Sequence, residues 1–297
     1  MMDFSKKLML IINPVAGRRE ASKNLAGIIR VFSEGGYLVS VFVTSKSGDA
    51  AAFARAYGAG FDLIVCSGGD GTMNETVNGI ISGGLDIPVG YIPSGSYNDF
   101  ADYHGLSKNV LTAAQNIVDG QRHPLDAIQF DDKYFVNAAD FGAFTWLPYS
   151  TPQVMKNTLG AYAYILDGIK DLSKIRSHRL RLLANGGVFE GEYLFGIVCN
   201  ATMVGGILAN KGALVQSDDG FFEVGMIRKP NNPQEFQETV IALKNEDLSS
   251  PRITFFKTSR LTIETDEPLD WSLDGEFAQG AQPTELRLLH SRIDFVF

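Results

Sequence analysis

Val65-Cys66-Ser67-Gly68-Gly69-Asp70-Gly71-Thr72-Met73-Asn74-Glu75 decides how the first half of this chain is read. The apolar run Leu63-Ile64-Val65-Cys66 predicts a buried strand, and Met73, Val77, Ile80 and Ile81 recur at the spacing of one helix face. Thr72, with Glu75 three residues on, forms an S/T-x-x-E capping box, so Thr72 is the expected N-cap. The glycines then fall in the strand-to-helix turn, where the missing Cβ lets backbone approach a ligand and the helix N-terminus offers N–H groups to an anion. A plain βα turn that binds nothing is the simpler alternative. The added acid, threonine and Asn74-Glu75 pair favour an anion such as phosphate. Asp70 would repel that anion unless a cation lay between them, which points to Mg²⁺, bound directly or through water.

The bulk properties exclude several classes. At 297 residues, with 45% hydrophobic and 20% charged, the chain is long enough for two domains and has an ordinary globular composition. A net charge of −8 argues against a sequence-independent grip on nucleic acid. Cys66 and Cys199 lie in apolar strand-like runs with no metal-ligand spacing, as expected of buried thiols in a reducing compartment. The first seven residues lack the pattern of a cleaved leader, and no run approaches the roughly 20 apolar residues of a membrane span. A cytoplasmic location is expected.

Organisation changes near residue 125. Strands at Leu8–Ile12, Leu38–Val43, Leu63–Cys66 and Val89–Ile92 alternate with helices at Ala21–Phe32, Asp49–Tyr57 and Met73–Ile81, which predicts a parallel sheet covered by helices. Ligands of such sheets bind at the carboxyl ends of the strands, so the loops after Ile12, Val43, Cys66 and Ile92 should gather on one edge. After a helix at Asn109–Val118 the pattern turns to strands, with a hairpin expected at Asp131-Asp132 and helices at about 159–172 and 233–243. The expected division is an α/β domain over residues 1–125 and an antiparallel β domain over 126–297. The end of the chain is expected to return to the first domain, and a cleft is expected between the two.

Three further segments carry candidate chemistry. Asn13-Pro14-Val15-Ala16-Gly17 follows the first strand, where Asn13 can bond a phosphate or a neighbouring loop. Pro93-Ser94-Gly95-Ser96-Tyr97-Asn98-Asp99-Phe100-Ala101 follows the fourth and supplies hydroxyls, an amide and a carboxylate. Leu273-Asp274-Gly275-Glu276 places two acids beside a glycine. An acid there suits a general base in phosphoryl transfer, and Asp-Gly is equally the commonest hairpin signal.

In order and spacing, these motifs resemble the diacylglycerol kinase catalytic-domain family, in particular its soluble bacterial lipid kinases, with sphingosine and ceramide kinases as distant relatives. The resemblance covers nearly the whole chain and also draws on Asp126, Gly205-Gly206 and Asp219-Gly220. It implies ATP- and Mg²⁺-dependent phosphorylation of a lipid hydroxyl, in a cleft between a Rossmann-like, NAD-kinase-like α/β nucleotide domain and a C-terminal β-sandwich. By resemblance the nucleotide is held by Asn13, Pro14, Gly17, Thr44, Gly68, Gly69, Asp70, Gly71, Thr72, Asn74, Glu75, Ser96 and Asn98. Asp70, Asp99 and Asp126 would surround the catalytic Mg²⁺, with Asp70 and Asp99 counted as catalytic. Glu276 would take the proton, with Asp274 its partner or rival. Asp219, with the backbone carbonyls of Gln216 and Phe221, would match a second, structural metal site.

The chain departs from the family pattern at Ser96, where threonine is usual, at the bulkier Tyr97, and at Val204-Gly205-Gly206, which lacks one glycine of a triple. The expected partner is a lipid acceptor, diacylglycerol or a relative, met at a membrane surface by transient peripheral contact. A homodimer stays open. Lys174-Ile175-Arg176-Ser177-His178-Arg179-Leu180-Arg181 could meet anionic headgroups, although a solvated strand face is the commoner meaning of such a run. Two other functions stay open: an NAD kinase-like phosphotransferase, which shares the Gly-Gly-Asp-Gly turn but should lack the 95–101 pattern, and a catalytically inactive nucleotide or lipid sensor.

Overall fold

The computed structural model describes residues 6–142, 176–200, 218–245 and 247–297. The chain divides into two compact units, one of Met1–Ala127 with His290–Phe297 and one of Ile128–Leu289.

The first unit begins with β1 (Lys6–Ile12), α1 (Glu20–Lys23), α2 (Leu25–Glu34), β2 (Tyr37–Val43) and α3 (Asp49–Tyr57). It continues with β3 (Leu63–Gly68), α4 (Asp70–Ser82), β4 (Val89–Pro93), α5 (Asp99–Tyr103) and α6 (Val110–Asp119). Parallel pairing gives the order β2-β1-β3-β4, as the alternating pattern predicts. Leu8, Leu10, Leu63, Val65 and Ile92 pack against Ile28 and Phe32 of α2 and Ile117 of α6 in one apolar cluster. Met73, Val77, Ile80 and Ile81, the predicted face of α4, are all buried.

Two local expectations fail for identifiable reasons. The helix predicted at 21–32 is broken at Asn24, whose φ of −105° and ψ of 14° leave the helical region while its side-chain amide donates to Glu20 O. Helix α4 starts at Asp70 with Gly69 as N-cap and no side-chain cap, so Thr72 lies inside the first turn. The Glu75 carboxylate instead accepts from Ser47 Oγ, Gly48 N and Ala50 N, at the start of α3. A tertiary bond has replaced the local capping box because α3 presents its own N–H groups within reach of Glu75.

The remaining strands are β5 (Arg122–Phe130), β6 (Lys133–Phe135), β7 (Ala138–Gly142), β8 (His178–Ala184), β9 (Gly187–Cys199) and β10 (Phe222–Arg228). After α7 (Pro233–Lys244) come β11 (Ile253–Thr258), β12 (Arg260–Thr265), β13 (Asp270–Leu273), β14 (Glu276–Gln279) and β15 (Thr284–Val296). Pairing in the second unit is antiparallel: β14-β13-β7-β9-β8-β12 in order, with β10 beside β9 and β11 beside β10. Its core gathers Phe130, Phe135, Phe141, Tyr193, Phe222 and Trp271. Phe130↔Lys133 closes the predicted Asp131-Asp132 hairpin, with Asp131 at φ 50°. Strand β15 pairs with β12 through Arg287–Thr284, and further on Phe295 and Val296 pair in parallel with β4 of the first unit's sheet. The helix predicted at about 159–172 lies outside the described residues. Both cysteines are buried and unoxidised, and burial pushes the Cys66 thiol up to about 12.

Candidate active site

Three strand-to-helix loops meet in the first unit. Asn13 follows β1; its N–H donates to Ser67 O, and its side-chain amide donates to Thr72 Oγ1 at 3.4 Å. Ser94, at the end of β4, donates its N–H to Gly68 O at 2.8 Å. Gly17, at φ 48°, lies so close to the third loop that a Cβ there would stand 2.5 Å from Ser94 O. A Cβ on Gly95 would overlap the Cα of Gly69. Glycine is required at these two positions by backbone contact between loops. Thr44, after β2, donates its N–H to Ile12 O, and so joins the same strand ends. Asn74 accepts from the Asn78 side chain one turn along α4. Pro14 and Gly71 are half-buried beside the junction.

Asp70 is held by this architecture. Its carboxylate accepts N–H bonds from Asn98 at 2.8 Å and Phe100 at 3.3 Å, which ties α4 to the start of α5. Asn98 adopts φ 63°, and its side chain closes the 95–98 loop: Oδ1 accepts from Gly95 N at 2.9 Å and from the Tyr91 hydroxyl at 3.1 Å, while Nδ2 donates to Gly95 O. Ser96 and Tyr97 are exposed at the tip of that loop. Asp99 also presents an exposed surface, yet its carboxyl stands in close-packed surroundings. Desolvation there, then the negative fields of Asp70 and Asp102, push it up to about 6.

Asp126 is the third acid expected around the catalytic Mg²⁺. It is fully buried on β5, and its Oδ1 accepts from Ser291 N and lies 2.9 Å from His290 Nδ1, on the returning part of β15. Among the described residues no three His, Cys, Asp or Glu side chains converge as a metal-ligand set.

In the second unit the Asp-Gly pair forms the hairpin that its sequence permits. Leu273 pairs with Glu276, and Asp274 and Gly275 turn the chain at φ 47° and 88°. The two acids then part. Asp274 accepts N–H bonds from Val136 at 3.0 Å and from Asn137 and Ala138 at 2.9 Å each, and donates its own N–H to Ala138 O. Glu276 opens β14 with its residue exposed.

Asp219 accepts from Phe221 N through Oδ1 and lies 2.9 Å from Lys257 Nζ through Oδ2. Its predicted co-ligand Gln216 lies outside the described residues, as do Val204, Gly205 and Gly206. Of the basic run 174–181, Arg176 pairs with Glu267, and Arg181 pairs with Glu190 and Glu264. These are the ion pairs of a solvated strand face; Lys174 and Ile175 lie outside the described residues. No helix among the described residues is long and apolar enough to cross a membrane.

Two participants escape a reading of motifs. Tyr91, buried in β4, donates to Asn98 Oδ1 and reaches Gly68 O at 3.3 Å, so it bridges two of the loops. A hydroxyl in an otherwise apolar buried strand was the available signal, because a buried tyrosine O–H needs a partner. His290 partners Asp126, and nothing in its sequence neighbours predicts that.

The chain is similar to known proteins. Residues 7–130 match the family model described as the diacylglycerol kinase catalytic domain, and residues 150–296 the one described as the YegS C-terminal NAD kinase beta sandwich-like domain. A curated protein of Bacillus subtilis (strain 168) named diacylglycerol kinase is 34% identical over 295 residues, covering 98% of this chain and 96% of the relative. One of the same name from Staphylococcus aureus (strain MRSA252) is 30% identical over 291 residues, with 97% and 91% covered. A crystal structure described as a diacylglycerol kinase from Bacillus anthracis str. Sterne shares the fold at a TM-score of 0.76 and 23% identity, over 98% of this chain and 97% of that one.

Proposed function

The chain belongs to the diacylglycerol kinase catalytic-domain family and is an ATP-dependent lipid kinase, and on that premise we propose that its acceptor is the hydroxyl of diacylglycerol or a close relative. The observation that carries the reading is the junction of the loops at Gly17, Gly69 and Gly95 with Asp70 fixed beside it, in a chain that also bears the Asp274-Gly275-Glu276 turn.

In this reading, Asn13, Pro14, Gly17, Thr44, Gly68 to Thr72 and Ser96 line the nucleotide. Main-chain N–H groups and the first turn of α4 face its phosphates. Asn74, Glu75 and Asn98 act one step back, by holding α4, the start of α3 and the 95–98 loop. The acceptor hydroxyl oxygen forms a bond to the γ-phosphorus, the bond from that phosphorus to the bridging oxygen breaks, and ADP leaves. Glu276 receives the hydroxyl proton. This reading prefers Glu276 to Asp274, whose carboxylate accepts from three backbone donors.

In this reading a Mg²⁺ ion, which keeps several waters and takes one or two acids, is held by the carboxylates of Asp70 and Asp99, and it would offset the negative field of Asp70 that adds to desolvation in lifting Asp99. When bound it would neutralise charge on the phosphates. Asp126, fully buried and bonded to Ser291 N through Oδ1, is kept in this reading as a third acid of the network around the ion. We further propose that the enzyme is cytoplasmic and meets its lipid by transient contact with a bilayer.

The test is γ-labelled ATP with Mg²⁺ and mixed micelles of diacylglycerol, monoacylglycerol, ceramide, sphingosine, phosphatidylglycerol and undecaprenol, with NAD in a parallel tube. Label in phosphatidic acid is expected. Label only in NADP would contradict the lipid acceptor, and ATP-induced thermal stabilisation without label in any tube would make the protein a sensor.

A further inference from the structure

The family resemblance implies a structural metal beside Asp219, and the described residues give that carboxylate other partners. Phe221 N–H donates to Oδ1 at 2.9 Å, and Lys257 Nζ stands 2.9 Å from Oδ2. The same ammonium lies 2.9 Å from Glu223 Oε1. Glu223 and Lys257 face one another across the β10–β11 ladder, so the pair is built into the register of the sheet. Glu223 is fully buried, whereas the Lys257 side chain is 32% exposed and that of Asp219 19%. The lysine thus enters from solvent and ends between two carboxylates.

A Mg²⁺ ion demands oxygen ligands at about 2.0–2.1 Å in octahedral array. To bring Asp219 Oδ2 to that distance the ion would have to evict an ammonium that already compensates a buried acid. Like charges a few ångströms apart also repel strongly where water is scarce. The donor set therefore does not suit a divalent ion while Lys257 is present.

We propose that the Lys257 ammonium is the resident cation of this site, holding Asp219 to Glu223 in place of a structural divalent ion. The second unit then needs no metal for its stability. This inference stands apart from the identity of the lipid acceptor.

The test is thermal melting of the full chain without nucleotide, in EDTA and in excess Mg²⁺. The wild-type melting temperature should move by less than about 1 °C, apart from any rise that Asp70→Asn abolishes and that belongs to the nucleotide loops. Lys257→Met should lower it by roughly 5–10 °C in EDTA, since a buried charge loses its partner, and Mg²⁺ should recover part of the loss. A saturable wild-type rise that survives Asp70→Asn and disappears in Asp219→Asn would overturn the proposal, as would a Lys257→Met protein that melts like wild type in EDTA. If Lys257→Met does not fold, the wild-type, Asp70→Asn and Asp219→Asn melts decide alone. Label transfer to lipid is a separate assay, so failure here leaves the kinase reading intact.

Discussion

The glycine turn at 68–72 and the Asp274-Gly275-Glu276 turn look alike in sequence, an acid beside glycine directly after a strand, yet they use their acids differently. In the first unit Asp70 is fastened by two N–H groups of a neighbouring loop and Asp99 follows it on the surface. In the second, Asp274 takes three N–H groups from residues 136–138 and Glu276 opens the next strand exposed. Each region therefore sets a stapling acid beside an outward one, Asp70 with Asp99 of the 95–101 loop and Asp274 with Glu276. Both stapling acids set loop geometry; in the proposed reading Asp70 also shares the metal with Asp99, and Glu276 takes the proton.

The largest expected effect strikes an outward acid. Glu276→Gln should lower kcat by about 10²–10⁴-fold, the usual contribution of a general base, with little change in melting temperature. Wild-type turnover would remove Glu276 from the reaction. Asp274→Asn should show the reverse weighting: an amide lacks the charge that strengthens three N–H bonds, so stability should fall by roughly 2–4 kcal/mol in denaturant titration. Gly95→Ala tests the loop junction, because its Cβ would overlap Gly69; a loss of about 1–3 kcal/mol is expected together with weaker ATP binding by calorimetry. Tyr91→Phe removes one bridging hydroxyl at a cost of about 1 kcal/mol and should raise KM for ATP several-fold without unfolding the chain.

The smallest effect is on pH dependence. His104 packs on Phe100 of α5, and burial, then the charge of His123, lower its pKa from 6.5 to about 4. The neutral ring is thus favoured in the folded state. Its contribution to stability is complete above about pH 6.5 and is lost as pH falls towards 4, where the unfolded chain takes up the proton first. His104→Phe should flatten melting temperature against pH over that window.

Much of this was legible in the residues. Alternating apolar runs and helix faces announced the parallel sheet, and the loops at 13–17, 68–72 and 95–98 stood out because glycine, amide and acid follow strands directly. The hidden part was tertiary. Nothing local says that Glu75 will cap α3 rather than its own helix, because the competing hydroxyl and N–H donors arrive from residues 47–50. Nor could spacing separate Asp274 from Glu276, since the deciding donors lie about 136 residues away in sequence. The same holds for Asp126 and His290, 164 residues apart.

Amide hydrogen exchange on Asp274→Asn, Asp70→Asn and Glu276→Gln, beside the wild type, tests the division of acids most directly. Asp274→Asn should speed exchange at Val136, Asn137 and Ala138, Asp70→Asn at Asn98 and Phe100, and Glu276→Gln at none of them although turnover is lost. Unchanged protection at residues 136–138 in Asp274→Asn, or deprotection there in Glu276→Gln, would contradict the account.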